Sequence, residues 1–152
     1  MDYKTALNKA SLLCSRQEYC RSDILKKLEK WNLPTEETER ILQKLMAEKF
    51  LDEERYTTFY VRDKFRFNKW GRKKIWWQLR QKGIEQSTIS KALEQIDPQE
   101  YRNKLQEIIQ DKIKQVKNKE PIQQKAAVIR NAVSKGFEYH EILPLVEQLL
   151  QK

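Results

Sequence analysis

Lys73–Ile96, KKIWWQLRQKGIEQSTISKALEQI, carries a pattern that occurs twice more in the chain: at Ser22–Leu45, SDILKKLEKWNLPTEETERILQKL, and at Ala126–Leu149, AAVIRNAVSKGFEYHEILPLVEQL. Laid over one another, the three stretches keep the same columns apolar. These are Ile24, Ile75 and Val128; Leu25, Trp76 and Ile129; Leu28, Leu79 and Ala132; and Leu33, Ile84 and Phe137. The register continues through Ile41, Ala92 and Leu145; Leu42, Leu93 and Val146; and Leu45, Ile96 and Leu149. Internal repetition at this period decides the architecture before any single motif does. The spacing is helical, and Asn32, Gly83 or Gly136 stands at the middle of each stretch with an apolar residue after it. Gly and Asn tolerate the left-handed backbone that ends a helix, and the next apolar residue packs back on that helix. Each stretch therefore reads as helix, stop, helix, with Thr35 and Ser87 as N-caps of the second helix in the first two.

A further amphipathic helix precedes each pair. Asp2–Ser15 groups Ala6, Ala10 and Leu13; Glu53–Phe67 groups Tyr56, Phe59, Tyr60 and Val61; Tyr101–Lys117 groups Leu105, Ile108, Ile109, Ile113 and Val116. Asp97-Pro98 and Lys119-Glu120-Pro121 mark breaks, because the residue before proline is disfavoured in a helix. The expected fold is all-α: a row of three three-helix units over residues 1–46, 47–97 and 98–152. Composition agrees. Three Gly and four Pro are too few for the turns of an all-β chain of 152 residues. With 35% charged residues there is no apolar run long enough to span a membrane.

Charge is concentrated in one place. From Arg62 to Lys82 (RDKFRFNKWGRKKIWWQLRQK), Arg62, Lys64, Arg66, Lys69, Arg72, Lys73, Lys74, Arg80 and Lys82 face a single acid, Asp63. Nine cations less one anion give +8, against +9 for the whole chain. Phe65, Phe67, Trp70, Trp76 and Trp77 are interleaved with them. Cations among flat rings suit phosphates and exposed bases, or an acidic protein groove. The repeat sorts the rings: Trp76 shares a column with Leu25 and Ile129 and belongs to the core, whereas Trp77 shares one with Lys26 and Arg130 and faces outward. Trp70 and Gly71 precede the next helix, whose free N–H groups and dipole, with Lys69, Arg72 and Lys73, could receive an anion. An alternative is that Gly71 only turns the chain and Trp70 only covers a gap. Asp52 reads as the N-cap of the preceding helix.

Catalytic and cofactor signatures are absent: no P-loop, no glycine-rich dinucleotide turn, no HExxH, and no nucleophile with a base. Cys14 and Cys20 have neither redox nor zinc spacing, and His140 is the one histidine. No metal and no cofactor are expected. Cys14 reads as a small buried hydrophobe and both thiols as unpaired, as in the cytoplasm.

The motifs as a set resemble those of RecX, the bacterial family of regulatory proteins of the RecA recombinase. The likeness lies in Arg16 followed by CRSDILKKL, in FLDEERYTTFYV (50–61) with KWGRKKIWWQLRQKGI, and in SKGFEYHEI (134–142), and it runs from about Ala6 to Leu149. It departs at Gln78, where the family pattern has an acid, and at Trp70 and Trp77, which that pattern lacks. The resemblance implies a curved array of three-helix units. It also implies a non-enzymatic monomer that binds RecA and the groove of the RecA–DNA filament and blocks strand exchange and ATP turnover in DNA repair, recombination and the SOS response. Single- or double-stranded DNA is the expected second partner. The alternative is a helical protein that binds DNA directly through the basic surface 62–82. The contact residues expected in either case are Arg62, Lys64, Arg66, Lys69, Trp70, Arg72, Lys73, Lys74, Trp77, Arg80 and Lys82.

Overall fold

The computed structural model describes residues 1–150, and among them the chain is nine α-helices without a strand. They are α1 (Tyr3–Arg16), α2 (Arg21–Lys30), α3 (Thr35–Ala47), α4 (Glu53–Arg66), α5 (Arg72–Gln81), α6 (Gln86–Glu94), α7 (Pro98–Gln115), α8 (Pro121–Ser134) and α9 (Tyr139–Leu150). The stops work as the sequence requires. Asn32, Gly83 and Gly136 have φ of 59°, 81° and 101°. Behind the two glycines, the amides of Ile84 and Phe137 return to the carbonyls of Leu79 and Ala132 at 3.1 and 3.2 Å, and both side chains are buried. This closes the open carbonyls of α5 and α8 while anchoring the next helix.

The helix starts differ from expectation. Thr35 is the first helical residue of α3 and Ser87 lies inside α6; the caps are Pro34 and Glu85, neither with a side-chain bond. The stop and its apolar anchor leave only one residue before the chain must turn helical, so the local Ser/Thr signal is overridden. Asp52 does cap α4, accepting from the Arg55 amide at 3.0 Å. Helix α7 begins at Pro98 rather than Tyr101, because Asp97 caps it at the Glu100 amide (2.9 Å) and proline suits the first helical position.

Ile24, Ile75 and Val128, and Leu28, Leu79 and Ala132, are fully buried, as the repeat requires. Trp76 is not: with Leu25 and Ile129 it is half-buried, so this column flanks the core in every unit. Phe59 is exposed instead of sharing the face of Tyr56 and Val61, and carries the Arg62 guanidinium 4.7 Å from its ring centroid. Phe65 leaves the supposed binding surface for the core, stacked on Tyr101 at 5.7 Å, while Phe67 is 80% exposed.

The core is in two parts. Helices α1–α3 enclose one cluster around Ile24, Leu28, Ile41, Leu42 and Leu45, with Cys14 in its wall. Helices α4–α9 share a second, larger one. The shared core is sealed at Gly71 and Gly136, whose backbones meet. The Gly71 amide donates to the Lys135 carbonyl (2.7 Å), the Lys73 amide to the Gly136 carbonyl (3.1 Å), and the Arg72 amide to the Tyr101 hydroxyl (3.0 Å). The first core meets the second through polar groups. Asp23 pairs with Lys82 at 3.0 Å, Glu18 pairs with Arg55, and Glu53 accepts from the Arg21 amide at 3.3 Å. Cys20 is the apolar peg between them, buried in the larger cluster.

Burial pushes the Asp23 carboxyl up. Hydrogen bonds from Lys82 and from the Cys20 side chain and amide outweigh it, so the carboxyl is held below the ordinary carboxylate value. Stabilisation from this group is therefore full above about pH 4 and fades as pH falls through the lower, folded value. Asp23→Asn is expected to remove that component of the acid response at the α1–α3 joint, read as hydrogen exchange of α2 amides between pH 3 and 6. Identical profiles in variant and wild type would refute it.

Candidate partner-binding surface

The basic stretch 62–82 is spread by the fold over several faces, and four of its nine cations are paired with acids distant in sequence. Arg66 pairs with Glu100 at 3.4 Å, and Lys69, at φ 57°, pairs with Glu107 (2.6 Å) and Asp111 (3.9 Å). Arg72 pairs with Glu141 at 3.6 Å, and its guanidinium carbon stands over Tyr101, 3.8 Å from the ring centroid. Lys82 belongs to the joint with Asp23, and Arg62 has Asp63 at 3.8 Å. Arg80 also has structural work: its Nη1 donates to the Ile84 carbonyl at 2.8 Å and closes the end of α5.

The first amides of α5 are not free to receive an anion. The Arg72 and Lys73 amides are bonded to Tyr101 and Gly136, so the third repeat occupies the place a ligand would take. Trp70 is half-buried against the shared core, with the ammonium groups of Lys64 and Lys74 4.9 and 4.7 Å from its ring centroid. It organises the surface more than it offers itself.

What remains is compact. Among the described residues, Lys64, Lys73, Lys74 and Arg80 have no carboxylate partner in the ion pairs that claim the other five cations, and Arg80 is tied to the Ile84 carbonyl. Trp77 is 56% exposed, on the outer side of α5 as its column requires, and meets Trp76 edge-to-face at 5.3 Å. The structure therefore brings Lys64, Trp70 and Lys74 together and sets Lys73 and Trp77 beside them, while Arg66, Lys69, Arg72 and Lys82 are drawn into the framework. Sequence reasoning did not include Val133 and Tyr139, which are exposed and share a groove with Lys73, Lys74 and Trp77. Neither carries a charge, and although Tyr139 lies within SKGFEYHEI nothing local places it beside α5; the Gly71–Gly136 contact brings both there.

Potential metal ligands do lie together at one place among the described residues: Glu138, His140 and Glu141. Glu141 is already committed, accepting from the Glu138 amide at 3.1 Å and pairing with Arg72. The group is an N-terminal cap of α9 with an exposed histidine 3.2 Å from Glu138.

Known proteins share this arrangement. The family model for the second three-helix domain of RecX matches residues 52–93, from the cap of α4 into the last turn of α6. Regulatory protein RecX of Oceanobacillus iheyensis is 30% identical, the match covering 98% of this chain and 56% of that protein. Its counterpart in Limosilactobacillus reuteri is 31% identical over 81% of this chain and 47% of that one. The chain thus spans about half the length of these curated relatives. A crystal structure of regulatory protein RecX superposes with a TM-score of 0.88 at 27% identity, covering 96% of this chain and 71% of that one. RecX from Lactobacillus salivarius superposes at 0.85 with 20% identity, a likeness of fold. Among the described residues no helix is long and apolar enough to cross a membrane. With helical repeats, a family-model match on the second of them and relatives aligned along nearly its whole length, the chain belongs to the RecX family of regulatory proteins.

Proposed function

We propose that this chain acts as a cytoplasmic, monomeric regulator that binds RecA and RecA–DNA filaments and inhibits strand exchange and ATP turnover, so modulating repair and recombination. The observation that carries the reading is the surviving surface: Lys64 and Lys74, without acidic partners, on the Trp70 ring, and Lys73, likewise unpaired, sharing a groove with Lys74 and exposed Trp77. Such a surface can meet a partner that presents phosphates and protein together, with cations steering association and an aromatic residue anchoring it. The three units, taken as 1–46, 47–97 and 98–152, would then serve as a row of contacts along a repeating partner.

The test is capture of the protein by RecA filaments assembled with and without DNA, followed by strand exchange and ATP turnover at saturating protein. Capture with loss of both activities is expected. Filaments that ignore the protein and keep full activity would defeat the proposal.

A further inference from the structure

Exposed aromatic side chains and unanswered cations coincide in one groove of about 720 Å³ at the junction of the second and third repeats. From α5 it receives Lys73, Lys74 and Trp77; from the end of α8 and the start of α9 it receives Val133, Tyr139 and His140. Trp77 and Tyr139 are each 56% exposed and Val133 49%. Large apolar side chains gathered in one open groove are unusual on a surface with no partner to cover them. The position is also fixed: the Gly71–Gly136 contact and the two hydrogen bonds to the Lys135 and Gly136 carbonyls hold the α5 side of the groove against the α8–α9 side.

We infer that this groove takes an unpaired base of single-stranded nucleic acid, stacked on Trp77 with Tyr139 as a second platform and the adjoining phosphates on Lys73 and Lys74. The inference deepens the proposed function, resting on the reading that this face meets a DNA-bearing partner, and it names the strand state of that DNA. A duplex keeps the faces of its bases inside the stack, so exposed rings gain nothing from it beyond its ends. An unpaired base offers a flat face of any sequence. A protein side chain used as an anchor calls for a closed apolar hole, in which it is fully desolvated. Here the groove is open, walled by rings, with flexible ammonium groups beside them. That combination matches a stacked base followed by its backbone.

The experiment uses the whole chain, no RecA, and three fluorescent probes of equal length: oligo-dT, the same sugar-phosphate backbone without bases, and a duplex. Anisotropy titrations are expected to show oligo-dT bound about 5- to 150-fold more tightly than the abasic strand, the range that loss of a stacked base gives. Trp77→Ala should lose that preference and keep its salt dependence, and Tyr139→Ala should lose part of it. Trp77→Phe, which retains a ring, should keep most of it and guards against a merely unfolded alanine variant. Lys73→Gln should do the opposite, lowering the log–log salt slope by about 0.7 with the base preference intact. Equal binding of oligo-dT and abasic strand by the wild-type protein, or tighter binding of the duplex, would overturn the inference. A Trp77→Ala variant that keeps its base preference but is no longer captured by RecA filaments would assign the groove to a protein contact. In that case the inference fails and the proposed function stands. Base preference without capture by filaments would establish the groove and remove the proposed function instead.

Discussion

Gly136→Ala is expected to destabilise the protein more than alanine at either of the other two glycines, by about 2 to 6 kcal/mol in urea or thermal unfolding. Two separate causes add. The residue sits at φ 101°, which costs a side chain about 1 to 3 kcal/mol. A Cβ there would also lie 2.5 Å from the Lys74 Cβ and 2.6 Å from the Lys74 amide nitrogen, and overpacking of that kind adds about 1 to 3 kcal/mol. Against a total stability of about 5 to 15 kcal/mol for a protein domain, the sum threatens the fold.

The other two glycines separate the causes. Gly83 has φ 81° with nothing within 4 Å of its would-be Cβ, so Gly83→Ala bears the backbone cost alone, about 1 to 2 kcal/mol. Gly71 has an ordinary φ of −81°, but its Cβ would lie 2.5 Å from the Gly136 carbonyl carbon and oxygen and 2.7 Å from the Phe137 nitrogen. Gly71→Ala therefore bears the contact cost alone, about 1 to 3 kcal/mol, against backbone that has no side-chain freedom to yield. Gly83→Ala matching Gly136→Ala would show that the two repeats do not approach so closely. Because the same contact holds α5 beside the α8–α9 turn, Gly71→Ala should also weaken whatever the groove binds.

The repeat was legible because it is a property of columns. Ile75 and Leu79 could be placed inside, and Trp77 outside, by comparing each with its counterparts fifty residues away. Depth was not legible in the same way. Periodicity gives the direction of Trp76 from the helix axis, while the half-burial it shares with Leu25 and Ile129 depends on how far the neighbouring helices extend. Gly71 could be read as a turn, but its reason for being glycine is Gly136, in another repeat. The ion pairs were illegible in a comparable manner. A run of cations in sequence has no visible counter-charge, whereas in the fold Arg66, Lys69, Arg72 and Lys82 find Glu100, Glu107, Glu141 and Asp23 in other helices. In the fold those four cations are tied to acids of other helices, while Tyr139 and Val133 stand in one groove with Lys73, Lys74 and Trp77.

That division predicts a difference that net charge alone does not. Replacing Lys64, Lys73 and Lys74 together by Gln, and separately Arg66, Lys69 and Arg72 by Gln, removes three positive charges in each case. In the first set the cations have no carboxylate partner; in the second each is already held by Glu100, by Glu107 and Asp111, or by Glu141. Phosphate contacts on a single strand each contribute about 0.7 to the log–log dependence of affinity on salt. The first triple is therefore expected to lower the slope by about 2, and its affinity for a DNA strand by about 100-fold at 0.1 M salt, with little difference from wild type near 1 M. The second triple should leave the slope nearly unchanged. Its cost should fall on stability, at about 0 to 1 kcal/mol for each exposed pair broken, with Arg72 contributing further through its stacking on Tyr101. Salt titrations of both variants against one oligonucleotide, with urea unfolding of each, make the comparison. Equal slope losses in the two triples would mean that the acids of α7 and α9 do not shield their partners, and that the binding surface extends over the whole stretch 62–82.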